Sequence, residues 1–127
     1  MDELLAIVEQ GGYPNFTSLY TKLGYKVTMS HSMRKAMAIV RKQAPDVIVA
    51  EFNYQSDFRD RTSSLESLLA TVERIPKNTK NYIKVIVFYE KEYIQQLEKL
   101  QAAFSNFQTM AYPIEQGKLE KMLSKIN

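Results

Sequence analysis

The sequence contains no cysteine, and this absence excludes three kinds of chemistry. There is no disulfide framework, no thiolate metal site and no cysteine nucleophile. A single histidine, His31, excludes a metal site built from several histidines and leaves no obvious base to activate a serine. His31 falls in a predicted loop between a strand and a helix. We expect it to be solvated or to cap that helix.

Long hydrophobic runs are also missing, since none approaches the roughly 18 residues that a membrane span requires. The chain opens Met-Asp-Glu, without a basic region ahead of an apolar segment, so we expect no signal peptide. These features predict a cytoplasmic protein without membrane contact. A length of 127 residues suits one domain, 1–127, with a real hydrophobic core.

Glycine motifs that bind phosphate are absent as well. Gly11-Gly12 lacks the spacing and the Gly-Lys-Ser/Thr ending of a P-loop, and it lacks the dinucleotide fingerprint, so it predicts a turn. We predict no cofactor. Lysine and arginine number 17 against 14 acidic residues, a net charge of +3, and no basic cluster alternates with aromatics. We therefore expect no nucleic-acid binding, although the mild basic excess keeps a nucleic-acid adaptor as a lesser alternative.

The central feature of the sequence is the stretch 45–52, Pro-Asp-Val-Ile-Val-Ala-Glu-Phe. Its uninterrupted apolar run without alternation predicts a strand buried on both faces. Ile83 to Tyr89 forms a second run of this kind and predicts a second central strand. Glu51 stands at the tip of the first of these strands, where ligands and chemistry collect in open α/β sheets.

Strand and helix patterns alternate five times along the chain. We predict strands at 4–8, 25–29, 47–52, 83–89 and 107–111. Helices are predicted at 16–23 with Gly24 as the stop, after a Ser32 cap, from Ser63 or Ser64 to about 75, at 93–104, and from Leu119 to the end. Helical connections of this length allow parallel strands with right-handed crossovers. The fold class is therefore α/β, a three-layer doubly wound domain of flavodoxin-like type with a parallel five-stranded sheet.

Three loops should converge at the carboxyl ends of these strands. They carry Glu9 and Gln10, then Glu51, then Tyr89 with Glu90. Two carboxylates such as Glu9 and Glu51 could hold Mg²⁺, but Gln10 supplies only a neutral amide where a further acid would help. We predict no metal site, and two acids at a solvated cleft.

Other residues raise weaker possibilities. Met33, Met37 and Met122 fall on core faces and predict packing rather than a binding surface. The segment 53–62, with Asp57, Arg59, Asp60 and Arg61, predicts a solvated loop, with a partner-binding knob as the alternative. Tyr93, Phe104, Phe107 and Tyr112 gather in the last third of the chain. They predict either core packing or a protein interface.

Two segments resemble the receiver domain of bacterial two-component response regulators. Leu-Gly-Tyr-Lys-Val-Thr at 23–28, followed by a helix and Pro-Asp-Val-Ile-Val-Ala-Glu at 45–51, is similar to the segment that leads into that family's phosphoacceptor strand. Ala-Tyr-Pro-Ile at 111–114 is similar to its final strand, in which a lysine precedes a proline. The resemblance covers nearly the whole chain and implies a receiver-like fold.

Carried over residue by residue, the resemblance implies a degenerate site. The phosphoacceptor aspartate falls at Glu51, and the acidic pair that binds Mg²⁺ falls at Glu9 and Gln10. The hydroxyl residue of the fourth strand falls at Tyr89, and the lysine falls at Tyr112, followed by Pro113. The aromatic residue of the family's switch falls near Thr109.

Without the lysine and the hydroxyl, the phosphoryl oxygens lose a cation and a hydrogen bond. The sequence therefore predicts a pseudo-receiver, a phosphorylation-independent protein-interaction module of signal transduction and not an enzyme. Glu51 is then either an imitation of the phosphorylated state or a solvated remnant. The alternatives are an unusual but active receiver, or a small flavodoxin-like ligand-binding or enzymatic domain that uses a tyrosine-lined cleft.

The resemblance also implies where partners bind. In receivers the fourth helix, fifth strand and fifth helix form a contact face. Here it would carry Tyr93, Leu97, Phe107 and Lys118. We expect protein partners of a signalling pathway at this face, with a homodimer as one form of the contact.

Overall fold

A computed structural model describes residues 2–8, 16–52, 60–75, 83–104 and 107–124. The strands are β1 (Glu3–Ile7), β2 (Lys26–Ser30), β3 (Val47–Phe52), β4 (Lys84–Tyr89) and β5 (Gln108–Ala111). The helices are α1 (Thr17–Lys22), α2 (Met33–Lys42), α3 (Asp60–Arg74), α4 (Ile94–Ala103) and α5 (Gln116–Ser124). A 3-10 turn, Lys91–Tyr93, precedes α4. The predicted alternation of strands and helices is confirmed.

All five strands are parallel, in the order β2-β1-β3-β4-β5, so the sheet is doubly wound from its middle. This confirms the predicted fold class. Strand β3 occupies the central position and all six of its residues are buried. Its lack of polar alternation is explained by helices on both faces of the sheet.

Alternate side chains of the three inner strands, β1, β3 and β4, enter two separate hydrophobic cores. The first core lies between the sheet and α1 with α5, and it includes Leu4, Val49, Ile86 and Leu119. The second core lies between the sheet and α2, α3 and α4, and it includes Leu5, Ile48, Val87, Leu68 and Leu97. Met33 and Met37 pack in the second core and Met122 in the first, as predicted.

The predicted helix signals are confirmed at two positions. Gly24 follows α1 with φ of +96°, a conformation that side chains with a Cβ rarely adopt, so it ends the helix. Ser32 caps α2 by accepting a hydrogen bond from the backbone N–H of Lys35 at 3.4 Å.

One predicted boundary is wrong. Helix α3 begins at Asp60, whereas the sequence predicted a loop as far as Thr62 and a helix start at Ser63 or Ser64. Asp57 and Arg59, the earlier part of the predicted loop, lie outside the described residues.

Two residues of the predicted contact face are core residues instead. Leu97 is 0% exposed and Phe107 is 8% exposed, and both belong to the second core. Leu97 lies on the stripe of α4 that packs against the sheet, so its helical spacing reports burial rather than an interface. Tyr93 is half-buried, and the side chain of Lys118 is 72% exposed, so these two remain accessible to a partner.

The amino-terminal edge of the sheet is tied together by polar contacts. The Asp46 carboxylate accepts a hydrogen bond from the backbone N–H of Glu3 at 2.7 Å, which joins β1 to the start of β3. The Lys84 ammonium donates to the Met122 carbonyl at 2.7 Å, and the Tyr25 hydroxyl donates to the Leu123 carbonyl at 2.9 Å. These carbonyls lie in the last turn of α5, where helix carbonyls need partners from outside the helix. The last turn of α5 is thereby fixed to the sheet.

Candidate functional site

Glu51 lies at the carboxyl end of β3 and is a buried carboxylate, only 9% exposed. Its side chain points to the face covered by α1 and α5, because it alternates with Ala50 and shares a face with Val49. A buried carboxylate requires hydrogen-bond donors to offset the loss of water. The Tyr112 hydroxyl supplies one, donating to Glu51 Oε2 at 3.2 Å.

Tyr112 directly follows β5 and is held in place by backbone and ring contacts. Its backbone N–H donates to the Tyr89 carbonyl at 2.8 Å. Its ring packs edge-on against Phe88, with ring centroids 5.9 Å apart and an interplanar angle of 71°. Phe88 in turn packs edge-on against Phe16, with centroids 6.0 Å apart. The site around Glu51 is therefore walled by aromatic rings.

Tyr20, on α1, is a further aromatic residue of this site, and its phenol feels the charge of the Glu51 carboxylate. It is 3% exposed, and its burial together with the negative charge of Glu51 raises the pKa of its phenol well above the ordinary value of 10.0. The sequence assigned Tyr20 only to the core face of a helix and missed this role. A tyrosine among the apolar residues of that face was the one available signal, because buried tyrosines usually need a polar partner for the hydroxyl.

Tyr89 does not join this group. In the parallel pairing of β3 with β4, Glu51 is opposite Phe88, and Tyr89 is opposite Phe52. Tyr89 therefore lies on the other face of the sheet, where it packs against the second core. The structure brings the Tyr112 side chain to Glu51 and places the Tyr89 side chain on the opposite face of the sheet. Glu9 and Gln10 lie outside the described residues.

The tyrosines fill the site rather than line an open cleft. Tyr20 and Tyr112 are both buried, and their rings belong to the first core. Within the described ranges, no three acidic or histidine side chains lie close enough together to hold a metal ion. A cavity of about 80 Å³, lined by Glu3, Thr28 and Gln43 among others, lies near the opposite, amino-terminal edge of the sheet. Glu51 and Tyr112 thus form a packed carboxylate–phenol pair.

His31 is exposed beside the start of α2. Its Nδ1 lies 3.0 Å from the Val8 carbonyl, within hydrogen-bonding distance, while Ser32 provides the helix cap. His31 therefore joins the turn after β2 to the end of β1 and takes no part in the Glu51 site. No helix among the described residues is both long and apolar enough to cross a membrane.

No protein-family model and no curated protein sequence matches this chain. Solved structures do match it, and the following three have the receiver fold. A response regulator receiver domain from Methylobacillus flagellatus aligns over 100% of this chain and 99% of its own, with a TM-score of 0.72 and 16% identity. One from Clostridium thermocellum covers 99% and 94%, with a TM-score of 0.72 and 12% identity. A response regulator from Burkholderia multivorans covers 98% and 93%, with a TM-score of 0.68 and 17% identity. The predicted receiver-like fold is confirmed.

Proposed function

We propose that this chain is a pseudo-receiver, which takes part in signal transduction through protein contacts and independently of phosphorylation. The observation that carries the proposal is the buried hydrogen bond from the Tyr112 hydroxyl to the Glu51 carboxylate. The resemblance to receivers implies that Glu51 stands at the position of the acceptor carboxylate and Tyr112 at that of the lysine before the final proline. Here those two residues bind each other.

Phosphoryl transfer to a carboxylate makes demands that this arrangement meets poorly. The attacking oxygen must approach the phosphorus in line, and cations must neutralise the charge that spreads over the three phosphoryl oxygens. Glu51 is 9% exposed, and its hydrogen-bond donor is the phenol of Tyr112, which carries no positive charge. A phenol can donate one hydrogen bond, but it cannot replace an ammonium group.

The pair also bears on imitation of a phosphorylated state. A negative charge that imitates the phosphoryl group would have to reach switch residues on other elements. The Glu51 carboxylate instead accepts from Tyr112 inside the first core and repels the ionised form of Tyr20. We infer that Glu51 acts as a fixed structural charge, which holds Tyr112 at the end of β5.

The test is the response of the protein to a phosphodonor. With Mg²⁺ and either acetyl phosphate or beryllofluoride, the ¹H–¹⁵N spectrum should stay unchanged, and intact-mass spectrometry should detect no phosphoryl adduct. Glu51→Gln is the control, because a shift that persists in this variant does not arise at the Glu51 carboxylate. Specific, widespread shifts around Glu51 that the variant abolishes would contradict the proposal and favour an active receiver.

The contact face remains a prediction. Of the four residues that the sequence suggested, Tyr93 and Lys118 are accessible, and a homodimer through the α4–β5–α5 face would have to use them. Sedimentation of the wild type and of Lys118→Glu checks this prediction, since a dimer that uses this face should weaken in the variant.

A further inference from the structure

Helix α2 carries four cations on one outward face. Arg34-Lys35 and Arg41-Lys42 are the same dipeptide repeated seven residues apart, and all four side chains are exposed. Seven residues are about two helical turns, or about 10.5 Å, so the two pairs lie one above the other on an arc of roughly 120°. The exposed Ala38 lies between them. We call this surface the α2 cationic face.

These cations have no acidic partners in the part of the chain that the structure describes. Helix α2 itself contains no acidic residue. An ion pair is formed elsewhere, between Lys118 and Glu115, on and just before α5. Within the described part of the chain, the α2 cationic face therefore carries positive charge that no ion pair engages.

Helix stability does not account for the first pair. Arg34 and Lys35 lie in the first turn, where the positive end of the helix dipole disfavours cations. Lys35 also takes the third position after the Ser32 cap, where a glutamate would complete a capping box. Arg41 and Lys42, by contrast, lie in the last turn, where cations are favoured. Cations that break the charge preference of the first turn at exposed positions, without stabilising the fold, indicate a contact with another molecule.

We propose that the α2 cationic face is the docking site for an acidic α-helix of a protein partner, one whose carboxylates repeat every seven residues. This rests on the proposed function, because it supplies the surface and the partner chemistry for a domain that works by protein contacts. A helix laid along α2 meets cations at two-turn intervals, as charged positions do between paired helices. Ala38 leaves room between the two pairs for close approach of the partner's backbone.

The other polyanions fit this surface less well. Single-stranded nucleic acid is bound with aromatic side chains for the bases to stack on, and the α2 cationic face has none. Anionic membranes are bound by helices that also insert large apolar side chains. Among the described residues, the exposed large apolar side chains are Met29 and Ile94, which lie outside α2.

The test uses a designed peptide of about 20 residues, long enough to be helical in water, with paired glutamates seven residues apart. We expect it to bind the full chain, to shift the backbone amides of residues 33–42, and to bind more weakly as salt is raised. The control ligand is a peptide of the same composition whose glutamates lie on opposite sides of the helix, and it should bind more weakly.

Charge reversal tests the surface itself. Arg34→Glu with Lys35→Glu should weaken binding about tenfold, because two charge pairs are lost and two repulsions are added. The matched control is Lys22→Glu with Lys121→Glu, which makes the same change in net charge at exposed positions of α1 and α5 and should leave the affinity unchanged.

Three results would overturn the proposal: equal binding of the two peptides, no binding of either, or tighter binding of a DNA duplex or a phosphatidylserine vesicle at α2. The assay contains no Mg²⁺ and no phosphodonor. Phosphorylation of Glu51 would therefore remove the proposed function and leave this surface intact, whereas failure of the peptide would leave the phosphodonor result unaffected.

Discussion

The Glu51 carboxylate is paired with a phenol, the side chain of Tyr112. A lysine at the position of Tyr112 would bring a positive charge to the carboxylate, whereas the phenol brings a single donor and a large apolar ring. That ring packs against Phe88 and closes the side of the site next to β4. The carboxylate is thereby buried beside the first core.

Tyr112→Phe tests this contact. The variant keeps the ring and removes the hydroxyl that donates to Glu51, so the free energy of unfolding should fall by about 1.5 kcal/mol. The value lies at the low end for a bond to a carboxylate, because 3.2 Å is a long separation for a hydroxyl donor. Urea unfolding near neutral pH measures it.

Tyr89→Phe is the control for that variant. It makes the same chemical change on the other face of the sheet, away from Glu51, and should change the stability by less than about 0.5 kcal/mol. Equal losses in the two variants would contradict a special role for the Tyr112 hydroxyl.

Helix α2 has a well-packed core face, whereas the charges on its outer face are not needed for the stability of the helix. Met33, Ala36 and Val40 are buried, which fixes the helix on the sheet. The outer positions are then free to carry charge for another purpose. At Arg34 and Lys35, the positive charges destabilise the first turn of the helix but strengthen binding of the proposed acidic helix.

Lys35→Glu should therefore stabilise the protein. The substitution removes a cation from the first turn and completes a capping box with Ser32, for a gain of about 0.5–1 kcal/mol. Lys42→Glu makes the same charge change in the last turn and should destabilise by a similar amount, because that end of the helix favours cations. Thermal unfolding of both variants checks the signs, and a loss of stability in Lys35→Glu would show that the first-turn cations are not a local cost.

At the scale of the whole molecule, buried phenols determine the behaviour in alkali. Burial and the charge of Glu51 raise the pKa of Tyr20, and burial with the charges of Asp2 and Asp46 raises that of Tyr25. The unfolded chain releases these protons near pH 10.0, whereas the folded protein keeps them. The stabilisation is thus complete below pH 10.0 and is lost as the pH rises above it.

We expect the free energy of unfolding to fall above pH 10.0 by up to about 1.4 kcal/mol per pH unit through Tyr20, with a smaller contribution in the same direction from Tyr25. Urea unfolding at a series of alkaline pH values measures the slope. Tyr20→Phe should reduce it, because the variant has no phenol to ionise at that position. A slope that is unchanged in this variant would contradict the assignment to Tyr20.

Local sequence patterns were enough to predict the order and type of the elements, the central position of β3 and the parallel sheet. These depend on local signals, namely apolar runs, helical spacing, Gly24 and Ser32, and each acts over a few residues. Even so, the start of α3 was placed too late, because helix boundaries depend on weak preferences at the first turn.

Which side chains meet depends on long-range packing, which local patterns do not specify. Leu97 and Phe107 have the same residue types and spacing whether they face a core or a partner, and the packing of α4 on the sheet placed them inside. Strand register matters in the same way at the site. Tyr89 and Tyr112 both stand at the carboxyl end of a strand, and the sequence pattern does not say which of them meets Glu51. Strand pairing puts Tyr89 on the opposite face, whereas the Tyr112 hydroxyl reaches Glu51. Side chains alternate between the faces of a strand, so a shift of one residue in register decides whether a side chain lies on the same face as Glu51 or on the opposite face.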